Sequence, residues 1–481
     1  MTHRSHNVDQ QAPHKAWTLV LASLGVFMTA LDTLVVTNAL PVLRVDLGAS
    51  LGDLEWTVNA YNLSFACLLL TGAALGDRFG RRRMFSVGLF VFTAASAAAA
   101  LSPSVGALIA ARAVQGAGAA VVMPLTLTLI SEAFPIEKRG MAVGLWGGIA
   151  GLAVAAGPVL GGAVIDGIDW HWIFWLNVPV GLVLIPLSAR RLSESFGPRL
   201  RLDAVGLVVA GAGLLGLTWG LVRANSVGWA SGEVTATLAA GLVLVAVFLA
   251  WERRTKGAML PLGLFRRRGF ATANGVSFFM YGGLFGALFL MAQFLQTALG
   301  ESPLEAGIRL LPWTAPPLVV APLAGALADR YGNRPFMALG LSLQALGLGW
   351  VTLIAKPDMG YLQLGVALTV AGVGTSMCFP TVANAVAQSV PLEEIGVASG
   401  TNSAVRELGG VFGVAVLAAV FTHGGVYSSP QAFIHRFDAA LLVGVGLSAI
   451  GIAWALFSPG RLRRQADAVS SVTPALAVAR D

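Results

Sequence analysis

Fourteen apolar stretches, each about long enough to cross a bilayer core at roughly 20 residues per span, follow one another along this chain with short polar breaks between them. They start near Trp17, Leu54, Met84, Val105, Gly140, His171, Asp203, Gly232, Phe270, Gly307, Pro335, Tyr361, Gly396 and Arg436. Composition agrees with a membrane class: 56% of residues are hydrophobic and 11% charged, where a soluble domain carries about twice that share of charge. Mean hydropathy is +0.75. The expected fold is an all-α polytopic membrane protein. An even number of spans puts both termini on one side.

Arginine and lysine decide which side. Alternate loops plus both tails carry 24 of these residues, and the opposite loops carry five: Arg44, Arg223, Arg309, Lys356 and Arg436. That bias predicts cytoplasmic termini in a multi-pass protein of the cell membrane. The net charge of +7 is then topological, and its expected partners are anionic lipid headgroups rather than nucleic acid. The first sixteen residues, 1–16, are polar and lack the apolar h-region of a cleavable signal peptide. His3, His6 and His14 are spaced irregularly, so the tail reads as solvated and no metal site is expected. Cys67 and Cys378 both lie in apolar runs, which predicts buried thiols rather than a disulfide framework.

The chain also repeats itself. Asp77-Arg78-Phe79-Gly80-Arg81-Arg82-Arg83 closes one apolar run, and Asp329-Arg330-Tyr331-Gly332-Asn333-Arg334 closes another 252 positions later. Val114-Gln115-Gly116-Ala117-Gly118 with Pro124 aligns onto Val370-Ala371-Gly372-Val373-Gly374 with Pro380 at an offset of 256, and Glu137, Gly140, Ala142 and Gly144 align onto Glu393, Gly396, Ala398 and Gly400. The offset exceeds a six-helix half by about two helices. The expected organisation is therefore an N-terminal bundle over 17–190, two linker helices over 203–251, a C-terminal bundle over 270–457 and a tail over 458–481. A duplicated bundle with a site at its interface is a transporter design.

The halves differ in polarity. At the same offset Asp32, Arg112 and Gln115 correspond to Leu288, Leu368 and Ala371, so ion chemistry is expected in the first half. Asp32 and Arg112 lie at matching depths from the outer side. Either charge alone would be costly in hydrocarbon, and mutual pairing is reasonable. The pair is either a proton-coupling device or a static structural pair. Arg112 and Gln115 share one helix face, while Gly116 and Gly118 permit close approach.

The repeated charged loop resembles the signature of the major facilitator superfamily, and the resemblance covers nearly the whole chain. Arg112 to Gly118 resembles that superfamily's R-x-x-Q-G-x-G motif, which is associated with proton coupling. Gly157-Pro158 with Gly161-Gly162 resembles the motif of its exporters and antiporters. Leu31-Asp32 through Leu40-Pro41, together with Trp170 through Pro179 and the two extra helices, is similar to the fourteen-span drug:proton antiporters. The resemblance implies two six-helix bundles plus two inserted linker helices. It also implies a gate in which Asp77, Arg78, Gly80, Arg82 and Glu132 hold the cytoplasmic side closed, Asp77 facing the helix that starts near Gly396, with Asp329 and Arg330 as the second copy. Family members usually carry glycine four positions before that Asp. Here Ala73 stands there, while the second copy has Gly325.

Candidate cavity residues are Trp146, Phe278, Tyr281, Gln293, Trp313, Asn384 and Arg406, with ordinary packing the competing reading for the aromatics. No phosphate-cradling loop, paired-cysteine site or nucleophile elbow occurs. An enzyme is not expected, and no cofactor beyond a proton gradient is. The resulting expectation is proton-coupled export of hydrophobic or amphipathic drugs, with a small-molecule substrate and protons as partners and no obligate protein partner. A dedicated exporter of an endogenous metabolite is the alternative, and a transport-inactive membrane sensor or scaffold is the alternative from another class.

Overall fold

The computed structural model describes residues 11–197, 203–255, 260, 262–357, 359–391, 394–422 and 430–460, and among these it contains helices and turns but no strand. Fourteen of the helices are long and apolar enough to cross a membrane. The N-terminal set is α1 (Gln11–Asp46), α2 (Leu51–Phe79), α3 (Arg81–Ala100), α4 (Val105–Ala133), α5 (Ile136–Gly167) and α6, a turn at Trp172–Trp175 continued as Asn177–Arg191. Then come α7 (Ala204–Val227) and α8 (Gly232–Glu252). The C-terminal set is α9 (Arg268–Gln293, prolonged by a wide turn at Phe294–Ala298), α10 (Pro303–Thr314 and Pro317–Tyr331), α11 (Asn333–Ile354), α12 (Tyr361–Gln388), α13 (Ile395–Thr422) and α14 (Pro430–Leu456). We call the side holding both chain ends the basic face and the other the far face.

Polar caps set the helix starts on the far face. Ser50 and Asp53 form a reciprocal capping box at α2, and Ser302 and Glu305 form another at α10, so two first-turn N–H groups are satisfied within the segment. This is why α10 begins at Pro303 rather than near Gly307: Glu305 is part of the start signal, not of a preceding loop. α14 likewise begins at Pro430, ahead of Arg436, and α1 begins at Gln11, within the stretch expected to be tail. α10 breaks at Ala315, where Pro316 and Pro317 withhold two successive N–H groups.

Each bundle is locked by the glycines of the repeat. A Cβ on Gly116 would collide with the Tyr61 carbonyl on α2, and one on Gly118 with the Phe92 backbone on α3. Their counterparts Gly372 and Gly374 sit equally close to Trp313 on α10 and to Gly340 and Gln344 on α11. Both charged loops turn on a glycine with positive φ, Gly80 at 104° and Gly332 at 89°, a region that disfavours side chains. The close approach doubted because of Ala73 is made one position earlier, by Gly72 against the Ala120 carbonyl.

The linker helices form a hairpin in which α7 also packs on α2 and α13. Trp219 meets Trp56 at 5.7 Å, and Trp251 donates its indole N–H to Asp203, 3.0 Å away. The bundles join each other through α2 with α13, and through α5 with the first half of α10.

Candidate functional site

Asp32 lies inside the N-terminal bundle, 2% exposed, and three side chains donate to its carboxylate. Oδ2 accepts from the Arg112 guanidinium, while Oδ1 accepts from the Gln115 amide at 2.8 Å and the Asn177 amide at 2.9 Å. Arg112 also donates to the Gln115 side-chain oxygen at 2.7 Å and to the Thr57 carbonyl at 3.4 Å. Its guanidinium carbon lies 4.3 Å from the Tyr61 ring centre, a cation–π arrangement. Asn177 in turn donates to Ser96 at 3.1 Å. Five helices, α1, α2, α3, α4 and α6, thus converge on one carboxylate, and the burial of both charges is offset by a nearly complete hydrogen-bond set.

The same place in the C-terminal bundle is hydrophobic. Leu288, Leu368 and Ala371 stand where Asp32, Arg112 and Gln115 would be, and Phe433 stands 256 positions after Asn177. All four belong to one continuous apolar core. The duplication kept its glycine contacts and lost its ionic centre.

At the basic face the charged loop is wired differently from the expectation. Arg81, not Arg78 or Arg82, bonds Asp77 at 2.7 Å and also pairs with Glu132. The reason is the turn at Gly80: Arg81 opens α3 directly after the chain reverses there, which brings it back beside Asp77 at the end of α2. Arg82 and Arg83 face Glu194, both at 3.6 Å, and the Arg78 guanidinium lies over Phe79. The segment after α6 closes over this loop, with Arg81 N–H donating to Ser195 and Gly197 N–H to the Asp77 carbonyl. Among the described residues, the bonds of Asp77 run to Arg81 and to the segment after α6; residues 392–393, just before α13, lie outside those described. The side chain of Asp329 lies outside the described residues, and Arg330 stacks on Tyr331 at 5.5 Å.

The bundles are tied together towards the far face. Asn38 donates to the carbonyls of Pro158 (3.1 Å) and Pro303 (2.7 Å), and the Gln296 amide donates to the Asn38 carbonyl at 2.8 Å. The glycine-proline motif of α5 is the surface that permits this. Gly157 and Gly161 receive Leu34 and Val35 of α1, and Gly162 receives Pro303 and Leu304.

Of the cavity candidates, Gln293 and Trp313 are each 2% exposed and belong to bundle packing. Gln293 bonds the Phe289 carbonyl one turn back. Asn384 bonds Asn333 and Gln388 at the basic end of α12, too far along its helix to line a central site. Trp146 donates to Thr126 at 3.1 Å. Phe278, Tyr281 and Arg406 gather where α9, α12 and α13 meet, with Arg406 4.9 Å from the Tyr281 ring centre.

The sequence profile of the major facilitator superfamily matches residues 22–286 and 273–479. The chain belongs to the major facilitator superfamily. Within the superfamily it is similar to proteins named for antibiotic export and drug resistance. It is 35% identical over 412 residues to the tetracenomycin C resistance and export protein of Streptomyces glaucescens, spanning 84% of this chain and 75% of the relative. It is 35% identical over 452 residues to the cephamycin export protein CmcT of Amycolatopsis lactamdurans, spanning 92% and 91%. The multidrug resistance protein Stp of Mycobacterium tuberculosis is 35% identical over 405 residues, spanning 84% and 75%. These matches place the chain in a drug-efflux family of the superfamily, among membrane transporters and not enzymes.

Solved superfamily folds superpose on it at lower identity. The peptide transporter POT in complex with sulfate gives a TM-score of 0.66 at 15% identity, covering 91% of this chain and 94% of that one. The D-xylose–proton symporter gives 0.64 at 16%, covering 92% and 96%. Sequence reasoning missed Asn177, Tyr61, Arg81, Glu194 and Asn38. Asn177 stood inside the Trp170 to Pro179 motif of this superfamily branch, and its amide at the start of α6 was the available signal.

Proposed function

We propose that this protein is a proton-coupled antiporter of the cell membrane that exports hydrophobic or amphipathic compounds by alternating access, with both termini cytoplasmic. One observation carries the reading: a titratable carboxylate, Asp32, sits buried in the ionic centre of a single bundle and is held by a cation on a neighbouring helix. Protonation of Asp32 cancels the charge that holds Arg112 and leaves Gln115 and Asn177 to rearrange, and deprotonation restores the set. The neighbouring α1 residue Asn38 bridges α5, α9 and α10, so a shift of α1 at Asp32 acts one and a half turns further along on the contact that joins the bundles. The 24-to-5 distribution of basic residues supports the orientation, and protons, a small-molecule substrate and lipid headgroups are the partners.

Purified protein in liposomes should move a fluorescent amphipathic dye against its gradient when a pH difference is imposed, without ATP. Accumulation that needs ATP, or that ignores the pH difference and a protonophore, would overturn the antiporter reading.

A further inference from the structure

Arg112 and Arg406, both well inside membrane helices, are satisfied to different degrees. Arg112 donates to Asp32, Gln115 and Thr57. Arg406 makes one hydrogen bond among the described residues, to Glu407 at 3.3 Å, and its buried Nε has no partner. An unspent guanidinium edge in a low-dielectric interior is costly to maintain. Nε itself is buried, but the side chain as a whole keeps 18% of its surface exposed, so a ligand reaches the guanidinium through its outer nitrogens.

What surrounds that edge is aromatic. Phe278, Tyr281 and Phe285 line one face of α9 by three- and four-residue spacing. Tyr281 stacks with Phe285 at 5.2 Å and meets Phe379 of α12 at 5.4 Å, and Phe278 meets Phe412 of α13 at 5.4 Å. All four phenylalanines keep part of their surface exposed. Beside Arg406, Glu407 offers an acceptor, with its side chain 11% exposed. The arrangement is an aromatic wall with one hydrogen-bond donor and one acceptor side by side at its edge.

We infer that this wall is the substrate-recognition site, and that it takes planar polycyclic aromatic compounds carrying a hydroxyl next to a quinone or ketone oxygen. The ring system stacks on the phenylalanines, the carbonyl oxygen accepts from Arg406 and the hydroxyl donates to Glu407. The inference deepens the exporter reading and rests on it for the term substrate. It differs from a site for aromatic cations, in which Arg406 would be repulsive.

Equilibrium dialysis of the purified full-length protein, with no gradient present, tests it using three probes: quinizarin, unsubstituted anthraquinone and ethidium. Quinizarin should bind saturably and more tightly than anthraquinone. Arg406→Gln should weaken both quinones, since both offer a carbonyl to that donor, by about tenfold or more for quinizarin, with part of the loss recovered by Arg406→Lys. Phe379→Leu should weaken both quinones by about threefold to tenfold. Equal binding of the two quinones to wild type, or ethidium as the tightest of the three, would overturn the inference. So would unchanged quinizarin affinity in monodisperse Arg406→Gln. Should that variant fail to fold, the wild-type ranking and Phe379→Leu decide. Gradient-driven ethidium export without quinizarin binding would remove this substrate class and leave the exporter standing. Quinizarin binding as expected without gradient-driven transport of any dye would support the site and remove the antiporter.

Discussion

Asp32 and Arg112 stand on different helices, α1 and α4, and each is the other's only opposite charge within direct bonding distance among the described residues. With 2% and 1% exposure, neither can fall back on water. Asp32→Asn should therefore abolish pH-gradient-driven export while gradient-independent exchange of dye persists. It should also lower folding stability by up to about 3 to 5 kcal/mol, because Arg112 is left as an uncompensated buried charge. Adding Arg112→Gln should return part of that stability. Thermal unfolding of the single and double variants checks this, and a double variant less stable than Asp32→Asn would contradict it.

The wiring of the charged loop separates three neighbouring arginines. Arg81 bridges Asp77 and Glu132 and is 10% exposed at its side chain, so Arg81→Gln should cost about 1 to 3 kcal/mol and loosen the segment that closes over the loop. Arg78→Gln should be nearly silent. Proteolytic cleavage after Arg191, or thiol labelling at Ser195→Cys, gives the readout. Equal effects at both positions would reduce the loop to a topology anchor.

Glycine contacts inherited by both bundles predict a graded series. Gly116→Ala and Gly372→Ala each drive a methyl group into a neighbouring backbone and should destabilise by about 1 to 3 kcal/mol. Gly148 faces open space, so Gly148→Ala should be neutral or stabilising by about 0.5 to 1 kcal/mol through helix propensity alone. Thermal midpoints of the three variants, measured side by side, are the test.

The far-face loop carries a pH dependence. Burial nudges Asp169 upward, but bonds from the His171 backbone and ring and the charge of that ring outweigh it, and the carboxyl sits below its ordinary value of 3.8. A lowered value favours the folded, charged form. Its contribution is present above the ordinary carboxylate range and is lost as the pH falls through the lowered value. Asp169→Asn should thus differ from wild type in loop proteolysis at neutral pH and converge with it in strong acid. Parallel curves across that range would show that the bond to His171 does nothing for the loop.

How much of this was legible in the sequence depended on the range of the forces involved. Hydrocarbon length and the basic-residue bias act along the chain, and the fourteen spans could be counted without knowing what touches what. The repeat likewise carried Gly116 and Gly118 onto Gly372 and Gly374. Asp32 and Arg112 were readable because an isolated intramembrane charge demands a partner and only one lay at the same depth. Asn177 was not, because a neutral amide makes no such demand and contacts Asp32 from 145 residues away. Arg78 and Arg82 were chosen over Arg81 on the strength of a motif, and it is the chain reversal at Gly80 that sets Arg81 beside Asp77. Gln293, Trp313 and Asn384 show the limit for cavities, since spacing along a helix does not say which face its neighbours leave open.

The placement of α7 gives the molecule a flank. Because α7 lies against both α2 and α13, the groove where those two helices meet is screened from lipid on that side. On the opposite side α5 packs mainly on the first half of α10 and less closely on the second. Nearer the basic face, Gly147, Gly148 and Leu152 of α5 and Leu318, Val319 and Leu323 of α10 are all exposed. Two bundles related by duplication have thereby become unequal in the membrane plane, with an inserted hairpin against one edge of their junction and exposed side chains of α5 and α10 along the other, so the molecule has a left and a right.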